Sequence, residues 1–256
     1  MPVPFEQSPL LTGIPGLRHG FFGRRGGHST GDFASLNISD MLGDKPAFVT
    51  SNRTDILDTL AMPAARLAQL KQIHSNTVVT LDSRYDAAAR PEADAIVTKT
   101  PGVLLGISTA DCAPILLCDP RAAVIGAAHA GWKGALGGII PNVIAAMVRL
   151  GARPERIVAS IGPTISLDSY EVGPDFVATL LKSHRDASNR VTTPDGGREH
   201  FDLPGFVFDQ LVEAGVGKVN DLGRCTYALN KHYFSHRRAT HEGKTTGRQI
   251  SMIGLT

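Results

Sequence analysis

The chain has 256 residues, 42% of them hydrophobic and 20% charged, with a formal net charge of +2. A length of this order buries roughly 70–75% of the unfolded surface, so folding needs no metal or disulfide staple. The near-neutral balance gives no basis for a nucleic-acid or membrane-surface partner, and no apolar run reaches the ~20 residues that span a bilayer.

The N-terminal stretch MPVPFEQSPLLTGIPGL lacks the basic-then-apolar order of a signal peptide. Phe21–Asn37 is Gly/Ser-rich and holds Arg24 and Arg25. It reads either as a tight turn or as an anion cradle of backbone N–H groups and guanidinium donors. A helix is predicted over Phe48–Leu60, capped by Thr50 or Ser51. Arg66–Leu81 reads as strand segments flanking a turn at His74-Ser75-Asn76, and Pro91–Thr98 enters another strand with Asp94 at its start. Three short apolar runs follow, Val103–Ser108, Ile115–Cys118 and Ala123–Ala128, separated by turn residues. Such runs are the signature of strands buried on both faces. Ala135–Leu150 has helical periodicity with Gly151 as its C-cap, and its N-terminal N–H groups would favour an anion beside the preceding strand end. Gly137-Gly138 weakens that helix, which implies a close contact there. Ile157–Ile161 reads as a strand, Pro174–Lys182 as a helix, and His184–His200 as a mobile polar loop. Asp202–Ala214 is predicted helical with Asp202 as cap, and the basic run His236–Arg238 can bind a small anion. With no repeat and no long linker, one domain over residues 1–256 is expected.

His74, Cys112 and His129 all fall at ends of apolar runs, where neighbouring strands bring distant residues together. Two nitrogen donors, one sulfur donor and a free fourth position form the pattern of a catalytic zinc. The competing chemistry is a nucleophilic Cys112 with His129 as its base. Asp111 is a poor orienter for that pair, because adjacent residues on a strand point to opposite faces. Spacing leaves both chemistries open, with metal slightly ahead. Cys118, inside an apolar run, reads as a packed core thiol. His232 and His236 are read as surface residues rather than ligands. The odd number of cysteines (Cys112, Cys118, Cys225) points to free thiols in a reducing cytoplasm.

The segments KQIHSN, ADAIVT, GISTADCAPILLCDP, AAHAGWKG, IGPTISLDSYEV, CTY and FSHRR followed by TGR resemble the YfiH-like family. That family is also called multicopper polyphenol oxidase, peptidoglycan editing factor or purine nucleoside phosphorylase. The likeness runs from FFGRRGGHS to TGRQI. It implies an α/β fold of the cytotoxic necrotizing factor-like type, a single layered domain with mixed β-sheets packed against helices. It implies zinc at His74, Cys112 and His129, with phosphate-dependent cleavage of adenosine, inosine and methylthioadenosine, and adenosine deamination. The partners would then be a purine nucleoside and phosphate. Arg24, Asn37 and Gln72 match positions that imply substrate contacts. Thr164 stands where the family often has cysteine, which removes a soft ligand and makes further copper there less expected. A copper phenol oxidase is the alternative within the family name. The absence of any His-x-His pair, and of Met within the motif segments, argues against it. A hydrolase editing peptidoglycan precursors and a non-catalytic binding module are the remaining alternatives.

Overall fold

The computed structural model describes residues 2–86 and 88–256. The chain begins with β1 (Phe5–Glu6) and β2 (Leu17–Phe22), followed by helix α1 (Pro46–Thr59). Pro46 lies in the first turn of α1, where its fixed φ suits a helix start and its missing N–H costs nothing. The helix thus starts ahead of Thr50 and Ser51, the expected caps. Short strands β3 (Arg66–Ala68), β4 (Val78–Leu81) and β5 (Ala95–Thr98) precede the long strands β6 (Val103–Thr109), β7 (Ala113–Asp119) and β8 (Val124–Ala130). Then come α2 (Trp132–Leu136), α3 (Ile139–Arg149), β9 (Val158–Ile161), α4 (Pro174–Ser183), β10 (Val191–Thr192) and β11 (His200–Phe201). The chain closes with α5 (Leu203–Glu213), β12 (Lys218–Asp221), α6 (His236–His241) and β13 (Gln249–Leu255).

The larger strands form two mixed sheets, of order β1-β2-β13-β6-β3 and β12-β9-β7-β8-β5-β4. Alternation along β7 explains how they stack. Leu116 and Cys118 pack with Leu105, Ile107 and Ile253 between the two sheets. Ile115 and Leu117 point the other way, onto Ile140, Val143 and Met147 of α3 and Leu211 of α5. On the far face of the five-stranded sheet, Leu104, Ile250 and Met252 pack on Ile56 and Leu60. The result is an α/β fold layered helix, sheet, sheet, helix. Strands covered on both faces need apolar residues at every position, which is why β7 reads as a run rather than an alternation. Each fully buried Leu or Ile in these layers contributes about 1.5–3 kcal/mol.

The single helix expected over 135–150 is two helices. Gly138 takes a left-handed φ of 89° between α2 and α3. At this break the carbonyls of Ala135 and Gly137 accept from the side-chain amides of Gln210 and Asn76. The expected loop at 184–200 contains a 3₁₀ turn (Arg185–Arg190) and the paired strands β10 and β11. Asp202 caps α5 as predicted, accepting from the Gly205 N–H at 3.0 Å.

Candidate active site

The turn Ala110-Asp111-Cys112 carries the chain from β6 in one sheet to β7 in the other. The antiparallel register of β7 and β8 sets Ala113 opposite Ala130 and Pro114 opposite His129. Cys112 therefore emerges beside His129 and Gly131. His74 arrives from the β3–β4 connection. The donor atoms of His74, Cys112 and His129 lie within 4.8 Å of one another, grading from exposed His74 through half-buried Cys112 to buried His129. The two imidazoles meet edge-on with centroids 4.9 Å apart, and Cys112 Sγ is 3.8 Å from His74 Nε2. A Cβ on residue 131 would sit 2.7 Å from His74 Cδ2 and 3.0 Å from Cys112 Sγ, so only glycine fits there.

Backbone strain at two of these positions is held by carboxylates. His74 has a φ of 60° and Asp111 a φ of 97°, conformations that cost side-chain-bearing residues about 1–3 kcal/mol each. Buried Asp94 accepts from the N–H groups of Ile73, His74 and Ser75 at 3.3, 3.0 and 2.6 Å, fixing the first turn. The same carboxylate bonds His129 Nδ1 at 2.8 Å, so Nδ1 keeps its proton and Nε2 is the free ring nitrogen. Asp111 accepts from the Thr226 hydroxyl at 2.7 Å and the Arg237 N–H at 2.6 Å, while its carbonyl accepts from Thr164 Oγ1 at 2.7 Å. Asp111 thus braces the Cys112 turn rather than orienting His129. Thr164 serves the same brace.

Burial raises the Cys112 thiol, but the charge of His129 and hydrogen bonds from both imidazoles outweigh it and pull the thiol below its ordinary range. Burial lowers His129, but the Cys112 sulfur and Asp94 more than reverse that. The site thus favours a thiolate beside a protonated imidazole, and a cation binding there displaces the proton. Two imidazoles and a thiolate fit a borderline divalent ion with an open position. By contrast, burial beside Asp119 pushes the core thiol of Cys118 up to about 12.

Two cavities meet at the trio. One, of about 350 Å³, is walled by Trp132, Ile165, Tyr170 and Leu203 with Lys133 and Arg237 beside them. The other, of about 460 Å³, includes Gln72, Arg53, Arg90 and Arg248. His74, Cys112 and His236 line both. Gln72 faces the larger cavity, but its amide exchanges two hydrogen bonds with the Ser108 backbone, at 2.8 and 2.9 Å. Asn37 is fully buried and accepts from the Arg248 N–H at 2.9 Å, so it meets the site through Arg248. Arg24 lines a separate cavity that contains none of the trio. Its guanidinium donates to the carbonyls of Ala34 and Asn230 at 2.8 and 3.0 Å and stacks over Phe234. Sequence reading missed Asp94, Arg53, Arg90 and Arg248 as site residues. The TGR segment was the one signal for the last.

The sequence matches, over residues 18–256, the family described as multi-copper polyphenol oxidoreductase laccase. A Deinococcus radiodurans protein named purine nucleoside phosphorylase is 43% identical across 99% of this chain and 93% of its own length. A protein named adenosine deaminase, from an unknown prokaryotic organism, is 34% identical across 86% of this chain and 87% of its own. The crystal structure of a Bacillus licheniformis protein titled hypothetical protein YfiH superposes with a TM-score of 0.89 at 29% identity, covering 99% of both chains.

Proposed function

The chain belongs to the multi-copper polyphenol oxidoreductase laccase family, and from that premise we propose that it is a zinc-dependent purine nucleoside phosphorylase with adenosine deaminase activity. Adenosine, inosine and methylthioadenosine are its substrates, with phosphate as co-substrate. Relatives named for both activities, similar over most of the chain, support this reading. The observation that carries it is the His74–Cys112–His129 trio at the junction of two cavities, one offering Ile165, Tyr170 and Leu203 beside Lys133 and Arg237, the other Arg53, Arg90 and Arg248. A bound zinc would supply a Lewis acid at that junction.

The chain's own residues do the rest. Asp94 holds the His129 Nδ1 proton and leaves Nε2 as the nitrogen that would ligate a bound ion. Ile165, Tyr170 and Leu203 give the purine ring an apolar slot. In phosphorolysis a phosphate oxygen donates its pair to C1′ as the C1′–N bond breaks. The bonding pair leaves with the base, which takes up a proton, giving free base and ribose 1-phosphate. His236, exposed and lining both cavities, is the residue we assign to deliver that proton. A copper cluster reducing oxygen needs many more histidines than the two that converge here among the described residues. Among those residues, no helix is long and apolar enough to cross a membrane. All three cysteines are free, and a thiolate ligand at Cys112 suits a reducing cytoplasm.

The test uses purified, metal-analysed protein with adenosine, with and without phosphate. Adenine should form only with phosphate, and inosine without it. Cys112→Ala and His129→Ala should lose the metal and both products. Full activity in a metal-free variant would overturn the metal-dependent reading.

A further inference from the structure

The larger cavity runs from Cys112 and His129 to a wall holding three guanidinium groups. Arg90 grips Asp40 with two bonds of 2.8 Å, and Arg53 reaches the same carboxylate at 3.2 Å. One carboxylate therefore serves two arginines. Arg248 is half-buried and has no carboxylate within ion-pair distance among the described residues. Its Nη1 donates to the carbonyls of Thr246 and Gly247 at 3.3 and 3.0 Å, leaving Nε and Nη2 for the cavity. Two further donors in this wall are unspent: Arg53 Nε and Thr109 Oγ1 are buried without a hydrogen-bond partner, and Thr109 is only 2% exposed. Partly buried cations and unpaired donors are costly unless a ligand completes them. Planar forks of this kind match the oxygens of a phosphoryl group.

We infer that this arm of the cavity is a phosphate subsite, with Arg248 as the residue that contacts the anion and buried Asn37 as the residue that positions it. Asn37 holds Arg248 by accepting from its backbone N–H, while its amide donates to the Ser39 carbonyl at 3.0 Å and to Asp44 at 2.8 Å. The phosphate subsite then lies across the trio from the apolar slot, and C1′ of a nucleoside spanning the junction falls between them. What the phosphate does there rests on the phosphorylase reading; that it binds does not. The shared chemistry is a phosphate group, either free phosphate or the 5′-phosphate of a nucleotide.

The test is calorimetric titration of the purified full chain with inorganic phosphate, repeated with adenosine 5′-monophosphate as competitor. Arg248→Gln should weaken phosphate binding about tenfold or more, the scale of one lost charge-assisted hydrogen bond, and Arg248→Lys should restore part of it. In phosphorolysis, Arg248→Gln should raise the apparent KM for phosphate by a similar factor while that for adenosine moves less than about twofold. Arg53→Gln and the near-isosteric Thr109→Val read the same wall if Arg248→Gln fails to fold. Tighter binding of the monophosphate, with displacement of phosphate, assigns the same subsite to a nucleotide. Phosphate binding that weakens in the variants, in a protein that leaves adenosine intact, keeps the subsite and removes the phosphorylase reading. Undetectable phosphate binding by the native chain, or unchanged affinity in all these variants, overturns the inference.

Discussion

Asp94 accepts hydrogen bonds from the N–H groups of Ile73, His74 and Ser75, from the Ser75 hydroxyl and from His129 Nδ1. Burial raises its carboxyl, but the bonds from His129 and Ser75 outweigh that and hold it down to about 2. A group surrounded by donors must be acceptor-only, and asparagine is not, because its amide nitrogen would face an N–H. Asp94→Asn should therefore loosen the His74 turn and free the His129 tautomer together. Metal affinity should fall about 10–100-fold, the usual cost of losing a partner behind a ligating histidine. Competition against a chelator measures it, and circular dichroism checks that the fold persists. A variant that melts earlier but holds metal as tightly as the native protein would reduce Asp94 to a purely structural tie. The three converging side chains were legible in sequence because each ends an apolar run. Asp94 was legible only as a strand start, since its partners come from a turn some twenty residues away. Arg24 beside Gly26-Gly27 has the composition of an anion cradle, but its donors are spent on Ala34 and Asn230. Composition shows which donors exist and cannot show which are already satisfied.

The same distinction separates the elements that sequence revealed from those it hid. β6, β7 and β8 are continuous apolar runs and announced themselves. β2 (LRHGFF) and β13 (QISMIGL) carry buried polar residues that break the pattern, so neither shows as an apolar run. Those polar residues are paired out of sequence. Gln249 accepts from the Phe234 N–H at 2.7 Å and donates to its carbonyl at 3.2 Å. His19 Nε2 accepts from the Ser8 N–H at 2.9 Å, tying the N-terminal segment to β2. Burial pushes His19 down to about 4, so it stays neutral in the folded chain. The unfolded chain binds that proton with a pKa near 6.5, so between about pH 6.5 and 4 it holds more protons than the folded chain. Stability must therefore fall as pH drops through this window, by on the order of 3 kcal/mol from His19 alone. His19→Gln keeps an acceptor for Ser8 without a titrating ring. Urea unfolding from pH 7 to 4 should show a shallower loss of stability in that variant than in the native chain. Equal slopes would remove His19 as the cause.

At the scale of the whole molecule, the site is where the two stacked sheets hand the chain to one another. Cys112 and His129 come from the six-stranded side, Thr109 and Arg248 border β6 and β13 of the five-stranded side, and His74 lies on the connection from β3 to β4. The apolar layers needed only continuous apolar runs to form, and their class was legible. The meeting of sheet ends depends on register, which sequence does not display. A ligand that bridges residues 74, 112 and 129 binds the folded chain far better than the unfolded one, where those donors are dispersed. Binding of this kind stabilises by about 2.7 kcal/mol when free ligand is a hundredfold above its Kd. For a chain of this size that corresponds to a rise in Tm of roughly 5–10 °C. Zinc added to chelator-treated protein should raise Tm by that much, with the gain increasing as the free zinc is raised. Cys112→Ala should abolish the gain while keeping a cooperative transition, because Cys112 lies at a turn outside the packed layers. The gain should also shrink on acidification, as protons compete for the Cys112 sulfur and the His129 ring. If the native chain melts at the same temperature with and without zinc, the three donors do not hold that ion, however close they lie.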